Sequence, residues 1–512
     1  MTHRVHVLPP AAFDRPHVET RPDVIASFLT DAAHVAGGYA AGVAFPDSAA
    51  GVSALVASAR HVLPIGAQSS LTGGATPRGE LLLSTRNLTG VSVTAGAAVR
   101  VGAGVPLADL QRELTARGLY YPPVPTFDGA FVGGTVATNA AGAATFKYGS
   151  TRAWVEEIAV VLSDGSRLEI HRGETTASPD GWFELAYPSG RVVRIPVPSY
   201  RMPDVPKLSA GYYARPGMDL IDLFIGSEGT LGVVTGAVLR VIPLPRRAVV
   251  LVTCDSEGQA FAVTAALRRE AARSRRGDGP LEVAAIEYVD SRTLTRLPDE
   301  AFRRAGLARP PRSAALLLAQ LETAGDDTAA LDRLGATLDA CGVRTDPSVA
   351  LPGDERQATR LLELREEVPA AVNAEIAAAK ARVHPDIEKT AGDLVVPFER
   401  LQESVALYRD TFERYGVDYA LWGHVSDGNL HPNVVPHSLD DMHRGRRALL
   451  DIARGVMAMG GAPLAEHGVG RSALKQLLLR ELYGERGIED MRAVKRALDP
   501  AWKLAPGVIF PE

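Results

Sequence analysis

Two histidines around a predicted turn form the strongest candidate for a chemical site in this sequence. His424 and His431 flank Asp427-Gly428, a dipeptide typical of a two-residue β-turn. A hairpin closed there would place the two histidines directly opposite each other, with their Cβ atoms about 5 Å apart on one face. Two imidazoles at that separation can share a divalent metal ion. The structural alternative is a pair of surface or hydrogen-bonded histidines.

A carboxylate and a third histidine stand side by side in the loop 462–470, which follows a helix predicted over 444–459. A charged pair among small residues is unusual for a solvated surface, and Glu466 could complete a ligand set with two histidines. The competing interpretation is that Glu466 caps a helix predicted over 471–483. The residues alone leave both interpretations of Glu466 and His467 open.

Three glycine-rich segments lie in the first half of the chain, over 64–74, 131–142 and 225–232. Glycine lets backbone N–H groups approach an anion closely, and Ser and Thr hydroxyls add donors, so these segments favour a pyrophosphate cradle over ordinary turns. A dinucleotide-binding Rossmann site is not predicted. The motif that begins at Gly102 has Leu107 at its third glycine position, and no acidic residue follows at the required distance.

Composition limits the classes of protein that need to be considered. The chain has 512 residues, of which 46% are hydrophobic and 22% are charged, so it is globular and too long for a single core. The net charge of −5 makes nucleic acid an unlikely partner class, and we expect none. The sequence has no secretory signal and no apolar run long enough to span a membrane, so we expect a cytoplasmic protein.

The pattern of predicted elements changes near residue 245. Before that point the chain is rich in glycine and short strands, with an apolar strand predicted over 220–225. Beyond it, strands alternate with longer helices, which predicts a sheet covered by helices. The predicted elements are strands over 248–254, 282–289 and 314–320 and helices over 257–272, 326–340 and 355–379.

The glycine-rich segments, together with Lys147-Tyr148-Gly149-Ser150, resemble the FAD-binding domain of the vanillyl-alcohol oxidase/p-cresol methylhydroxylase flavoproteins. In order and spacing they are most similar to the D-2-hydroxyacid dehydrogenase branch, which includes D-lactate dehydrogenase, the glycolate oxidase flavoprotein subunit and D-2-hydroxyglutarate dehydrogenase. The resemblance implies an α+β fold with a p-cresol methylhydroxylase-type FAD-binding domain over 1–245. It also implies a substrate or cap domain with a metal site over 246–490, and a C-terminal segment over 491–512 that returns to the FAD-binding domain.

The resemblance implies that FAD is the cofactor. Relatives with covalently attached flavin often carry a histidine in the first loop, where this chain has Gln68-Ser69-Ser70, so we expect non-covalent FAD. The positions assigned to FAD are Pro64, Ile65, Gly66, Ala67, Gln68, Ser69, Ser70, Gly133, Gly134, Thr135, Thr138, Asn139, Gly142, Tyr148, Gly149, Glu228 and Gly229.

The resemblance also assigns roles in the second half. His424, His431 and Glu466 match the metal ligands, with zinc as the expected ion and manganese or iron left open. His467 matches the proposed catalytic base. Three further residues match the substrate-binding positions, namely Arg365, Lys389 and Asn433, although Lys389 departs from the family spacing by a residue or two.

The predicted function is FAD-dependent oxidation of a D-2-hydroxy acid, of the lactate, glycolate or 2-hydroxyglutarate kind, to the 2-oxo acid. Three alternatives stay open: a metal-independent flavin oxidase of the same superfamily that acts on an alcohol, a zinc hydrolase without flavin, and a non-catalytic binding or scaffold protein with a degenerate fold. The expected partners are a small-molecule hydroxy acid and an electron acceptor, which would be a quinone, a cytochrome, an electron-transfer flavoprotein or O₂. A homodimer and peripheral attachment to the inner membrane are left open.

Overall fold

The structure is a computed structural model, and it describes residues 2–11, 14–94, 97–123, 125, 127–323 and 325–511. The fold is a mixture of strands and helices, as predicted. The first half carries several small sheets, and the second half carries one large sheet.

The first half is built around a four-stranded and a five-stranded sheet. The four-stranded sheet has the order Val18–Glu19, Gly42–Ala44, Leu81–Ser84 and Val62–Ile65. The five-stranded sheet has the order Arg167–His171, Val155–Val161, Val233–Arg240, Ala98–Gly102 and Val91–Thr94. Smaller sheets join Arg4–His6, Trp182–Ala186 and Val192–Pro196, and Ile242–Pro243 with Leu119–Tyr120.

The helices of this half are short, and one of them, Val132–Thr138, contains Gly133 and Gly134. They are Pro22–Ile25, Ala49–Ser58, Leu107–Thr115, Val132–Thr138, Thr145–Tyr148 and Ile221–Phe224, with 3₁₀ turns at Ala26–Phe28, Thr85–Asn87 and Thr151–Trp154. The strand predicted over 220–225 is therefore wrong. An apolar run of that length fits a fully buried helical turn as well as a strand, and periodicity cannot separate the two.

The second half contains an eight-stranded sheet. Its order is Ser348–Ala350, Arg246–Cys254, Ala315–Thr323, Glu282–Val289, Tyr419–His424, Asn429–Val434 and Thr390–Ala391, with Leu394–Val395 also paired to Asn429–Val434. The strands that were predicted over 248–254, 282–289 and 314–320 lie within this sheet.

Helices cover both faces of the large sheet. One face packs against Glu257–Ser274, Asp327–Ala340, Leu401–Tyr415 and Leu439–Ala458, and the other packs against Glu355–Arg382 and Asp299–Arg304. The remaining helical elements are Ser291–Leu294, Phe398–Arg400, Val425–Asp427 and Ala473–Leu498. Among the described residues, no helix is both long and apolar enough to cross a membrane.

The end of the chain packs on the first half. The hydrophobic core of the first half includes residues up to Val241 and then takes in Leu464, Val469 and side chains as far as Phe510. Leu464 and Val469 thus pack on the first half, while the boundary near residue 245 and the C-terminal segment over 491–512 stay predictions. The loop that carries Glu466 and His467 therefore lies where the two halves meet.

Candidate active site between the two halves

One cavity of about 300 Å³ lies between the glycine-rich loops and the loop that contains Glu466 and His467. Most of the positions assigned to FAD line it, and Glu466 and His467 form part of the same wall. The FAD positions on this wall are Pro64, Ile65, Gly66, Ala67, Gln68, Ser69, Ser70, Gly133, Gly134, Thr135, Thr138, Glu228 and Gly229.

The first loop offers backbone donors to this cavity. In the described part of the chain, the N–H groups of residues 67–70 have no hydrogen-bond acceptor. Gln68 has a φ of 52°, and its side-chain amide donates to the carbonyls of Phe28 and Ala75 at 2.9 Å each. The side chain thus ties the loop down while the backbone amides remain available to an anion such as a pyrophosphate.

The second loop needs glycine at two places for different reasons. A Cβ at Gly133 would lie 2.6 Å from Ala103 Cβ, so glycine allows the close packing of this helix on the end of the strand Ala98–Gly102. A Cβ at Gly134 would meet nothing within 4 Å and would project into the cavity. The cavity therefore combines open space beside Gly134 with free backbone donors, which suits an anion such as a pyrophosphate.

Four positions assigned to FAD do not line this cavity, namely Asn139, Gly142, Tyr148 and Gly149. The Asn139 side chain accepts a hydrogen bond from the backbone N–H of Arg152 at 3.0 Å. The Tyr148 hydroxyl donates to Glu322 on a strand of the second half, at 2.6 and 2.7 Å. These contacts give Asn139 a role in loop structure and Tyr148 a role in joining the halves.

The histidine hairpin forms, but its predicted register is wrong. His424 pairs with Asn429 and Trp422 pairs with His431, so the two histidines are diagonal neighbours and not direct partners. The turn is longer than two residues because a 3₁₀ turn over Val425–Asp427 precedes Gly428, which has a φ of 79°. A shift of two residues preserves the face of each side chain, so both histidines still lie on one face, with ring centroids 5.4 Å apart.

Three histidine nitrogens converge on one oxygen of Glu466. The Nε2 atoms of His424, His431 and His467 lie 3.3, 3.4 and 3.5 Å from Glu466 Oε1. Lone pairs on nitrogen and oxygen would repel each other in this arrangement unless protons or a cation lay between them. The alternative role of Glu466 as a helix cap is wrong, because the next helix begins at Ala473 and is capped by Ser472.

The Nδ1 atom of His424 contacts a carboxylate that no sequence pattern predicts. This nitrogen lies 2.5 Å from Oε1 of Glu287, whose Oε2 accepts a hydrogen bond from Arg365 Nε at 2.7 Å. Burial acts to lower the pKa of His424, but the Glu287 and Glu466 carboxylates raise that pKa to about 9. A carboxylate behind the Nδ1 atom directs Nε2 toward Glu466, which is the usual support of a metal-ligating histidine.

Asp393 organises the loop that carries Glu466 and His467. Its Oδ2 accepts hydrogen bonds from the backbone N–H groups of Glu466 at 2.9 Å and His467 at 2.8 Å. The same oxygen lies 3.2 Å from His467 Nδ1. Burial lowers the pKa of His467 to about 4, although the Asp393 carboxylate acts in the opposite direction. His467 is therefore neutral near pH 7, with Nδ1 directed to Asp393.

Two residues of the first half also reach this loop. Glu228 has a φ of 52°, and its carboxylate accepts hydrogen bonds from the N–H groups of Val469 and Gly470 at 2.8 Å each. Lys207 is fully buried and lies 3.0 Å from Glu466 Oε2 and 3.0 Å from Asp427 Oδ2. Burial opposes the charged form of Lys207, but these two carboxylates raise its pKa above the ordinary value.

The buried cluster has more carboxylates than Lys and Arg side chains, and this excess favours a positive charge among the histidines, either as a protonated His424 or as a bound cation. Four buried carboxylates, of Glu287, Asp393, Asp427 and Glu466, face three cationic side chains, of Lys207, Arg365 and Lys475. Ligand atoms of Asp393, His431, Glu466 and His467 also lie within 4.8 Å of one another. Because Asp393 already accepts hydrogen bonds from Asn429 and from the backbone of Glu466 and His467, Oε1 of Glu466 is the carboxylate oxygen of this group that is freer to bind an ion.

The three predicted substrate-binding residues differ in their position. Asn433 is buried on the hairpin face that carries the two histidines, and its Oδ1 has no partner among the residues that the structure describes. Arg365 lies behind His424, in the ion pair with Glu287. Lys389 is exposed, and none of its described contacts joins it to the histidine cluster. The structure thus brings Asn433 and Arg365, but not Lys389, to the site.

The chain belongs to the family of FAD-linked oxidases. The profile described as "FAD linked oxidases, C-terminal domain" matches residues 244–509, and the profile described as "FAD binding domain" matches residues 40–171. The protein is therefore a FAD-linked oxidoreductase. This membership overturns the alternative of a zinc hydrolase without flavin.

Several named relatives match over most of their own length. The chain is 28% identical to a glycolate oxidase subunit of Bacillus subtilis, over 88% of this chain and 83% of the relative. It is 29% identical to a D-2-hydroxyglutarate dehydrogenase of Xanthomonas citri, over 91% and 89%. It is 31% identical to an uncharacterized FAD-linked oxidoreductase of Mycobacterium tuberculosis, over 92% and 90%.

A solved structure of alkyldihydroxyacetonephosphate synthase has the same overall fold. The TM-score is 0.58 at 16% sequence identity, over 91% of this chain and 77% of the other. At this identity the similarity establishes the fold alone.

Proposed function

We propose that this protein oxidises a D-2-hydroxy acid to the corresponding 2-oxo acid with non-covalent FAD and a divalent metal ion. One observation carries the proposal: the free backbone amides of the first loop and the side chains of Glu466 and His467 line the same cavity. The names of the glycolate, D-lactate and D-2-hydroxyglutarate enzymes among its relatives support a hydroxy acid as substrate.

Residues of the hairpin and the following loop would hold the metal. His424, His431 and Glu466 provide two imidazoles and a carboxylate, a donor set that suits zinc and leaves a position for substrate. When bound, a divalent cation supplies electrophilic polarisation of the substrate hydroxyl and carboxylate. Glu287 fixes the ring of His424, so the protein sets the direction of this ligand before any ion binds.

His467 is the group proposed to take the hydroxyl proton. It lines the cavity, it is neutral near pH 7, and Asp393 lies behind its Nδ1 atom, which leaves Nε2 as the acceptor. A flavin held in this cavity would supply the acceptor for the hydride from C2 of the substrate. The substrate thus loses one hydride to the flavin and one proton to His467, and C2 becomes the carbonyl carbon of the 2-oxo acid.

The substrate carboxylate needs a cation, and Arg365 is the proposed one. Its Nε is engaged with Glu287 and its two terminal nitrogens have no acceptor among the described residues, but it lies behind His424 and not on the cavity wall, so its contact with the substrate stays a prediction. Asn433 would add a polar contact from the same face of the hairpin. A supporting role for Lys389 stays a prediction that its exposed position does not favour.

A visible absorption spectrum followed by anaerobic titration tests the proposal. We expect a flavin spectrum that bleaches with D-2-hydroxy acids and does not bleach with their L-enantiomers. Precipitation with acid should leave the yellow colour in the supernatant. Bleaching by simple alcohols that persists after treatment with a chelator would instead indicate the metal-independent alcohol oxidase, and yellow precipitate would indicate covalent flavin.

A further inference from the structure

Lys207 is a buried cation that the first half contributes to the histidine cluster of the second half. It lies in the irregular segment between the strand Val192–Pro196 and the helix Ile221–Phe224, and its side chain has no exposed area. Its Nζ contacts Asp427 Oδ2 at 3.0 Å, Glu466 Oε2 at 3.0 Å and the carbonyl oxygen of Gly142 at 3.2 Å. Three oxygens therefore fix the ammonium group in one position.

The two oxygens of Glu466 consequently have different surroundings. Oε2 accepts a charge-assisted hydrogen bond from Lys207, whereas Oε1 faces the Nε2 atoms of the three histidines. Rotation of the carboxylate to present both oxygens to the histidine side would break the contact with Lys207 inside a buried environment. That loss is costly because a buried ammonium would lose a partner.

We infer that Lys207 is a positioning residue that limits Glu466 to a single ligand oxygen and so makes the metal site selective. This inference rests on the proposed function, since it assumes that Glu466 is a metal ligand. Zinc is satisfied by four ligands and suits one carboxylate oxygen with imidazoles. Manganese prefers more oxygen ligands, so a carboxylate limited to one oxygen disfavours it.

The test compares Zn²⁺ and Mn²⁺ affinity in the FAD-loaded protein by competition with a chelator. Both ions are divalent, so the loss of one positive charge changes both affinities alike, and the ratio of the two affinities reports on ligand geometry. In Lys207→Met we expect the preference for Zn²⁺ over Mn²⁺ to fall by about tenfold or more, the size of one charge-assisted hydrogen bond. An unchanged ratio would overturn the inference.

Lys495→Met is the matched control. Lys495 is another buried lysine of the chain, and its Nζ contacts Asp499 Oδ2 at 2.6 Å and the carbonyl oxygens of Thr230 and Leu504. The substitution removes a buried cation of the same kind away from the histidine cluster. We expect it to lower the melting temperature without changing the ratio of Zn²⁺ to Mn²⁺ affinity. An equal change in both variants would assign the effect to general destabilisation and overturn the inference.

A double variant, Lys207→Met with Asp427→Asn, separates position from charge and protects against misfolding. It removes one positive and one negative charge, so the net charge of the cluster stays the same and Asp427 is not left as a buried carboxylate without Lys207. We expect the same loss of zinc preference as in the single variant. Recovery of the wild-type ratio in the double variant would mean that the ratio follows the charge of the cluster and not the position of the Glu466 oxygens, and would overturn the inference.

The result for the wild-type protein distinguishes the two proposals. A wild-type protein that binds neither ion would remove the metal from the proposed function, whatever Lys207 does. A wild-type protein that binds zinc, with a ratio that does not move in either Lys207 variant, would overturn only the positioning role of Lys207.

Discussion

The two walls of the cavity are made of different chemistry. The flavin side consists of glycine-rich loops whose free groups are mostly backbone N–H donors, with side chains such as Gln68 directed back into the loop. The opposite side consists of Glu466 and His467, whose charges are balanced by buried partners from distant parts of the chain. One wall depends on backbone shape and the other depends on a network of charges.

The two walls therefore differ in the kind of substitution that disrupts them. A backbone cradle is lost only when a side chain fills it or when the loop changes conformation. A buried ionic network is lost when a single partner is removed, because the remaining charge is left uncompensated. We therefore expect substitutions in the histidine cluster to have larger effects than those in the glycine loops, and the predictions below test this ranking.

The largest effect is expected from the loss of a metal ligand. His424→Ala should abolish reduction of the flavin by substrate and strongly lower the zinc content, while the flavin spectrum stays intact because the FAD loops are in the other half. Metal analysis and anaerobic stopped-flow spectroscopy measure the two outcomes. The control is His437→Ala, since the side chain of His437 is 69% exposed and its Nε2 contacts Asp418, away from the histidine cluster. Full activity without any bound metal would contradict the prediction.

The second-largest effect is expected on kcat, from the loss of the proposed base His467. His467→Ala should lower kcat by about 10²- to 10⁴-fold, the usual contribution of a general base, with little change in KM. Zinc content should remain close to that of the wild type, because Glu466 and the other two histidines are retained. A variant with near-normal turnover would show that another group accepts the proton.

The pH profile gives an independent readout of His467. Its pKa of about 4 lies below the ordinary value of 6.5, so the neutral form that accepts a proton is dominant at pH 7 and is lost as the pH falls toward 4. We expect kcat/KM for flavin reduction to fall on the acidic side in the wild type, and we expect this limb to disappear in His467→Ala. An identical acidic limb in both proteins would assign it to a different group.

The sequence predicted more of the flavin wall, which is formed by the glycine-rich loops, than of the ionic wall, which contains Glu466 and His467. Glycine-rich loops are local patterns, and most of their predicted contact positions line the cavity. The hairpin is also a local pattern. The face predicted for its two histidines is correct although the register is not, because a shift of two residues equals the side-chain period of a strand. The register itself could not be predicted, since Asp427 is buried against Lys207 and does not sit in an exposed two-residue turn.

The supporting residues of the ionic wall have no local signature. Glu287 lies 137 residues before His424, and Lys207 lies 259 residues before Glu466. Only the folded chain brings them together, because the partner strand and the first half must both be in place. The one sequence signal for Lys207 was the rarity of lysine, of which the chain has only seven.

A supporting carboxylate should have a smaller effect than a ligand. Glu287→Gln removes the charge behind His424, and we expect zinc affinity to fall by about 10- to 100-fold, as for other residues that orient a metal-ligating histidine. The control is Glu322→Gln on the neighbouring strand, where the buried carboxylate contacts Lys147 and Tyr148 and does not touch the cluster. Equal losses of zinc affinity in both variants would indicate a general effect of destabilisation.

The smallest effect is expected on the flavin wall, from a side chain that enters the cavity. Gly134→Leu should weaken FAD binding by about tenfold, because filling a packed binding space typically costs 1–3 kcal/mol.

Gly335→Leu is the matched control: both glycines are helical, and a Cβ at either position meets nothing within 4 Å. Only Gly134 lines the cavity, so the control should keep wild-type FAD affinity and gain a little stability from leucine in the helix. FAD affinity measured by flavin fluorescence on titration of the apoprotein decides the result. Equal FAD affinity in the two variants would mean that the flavin does not occupy the space beside Gly134, and the contrast between the two walls would then fail at this loop.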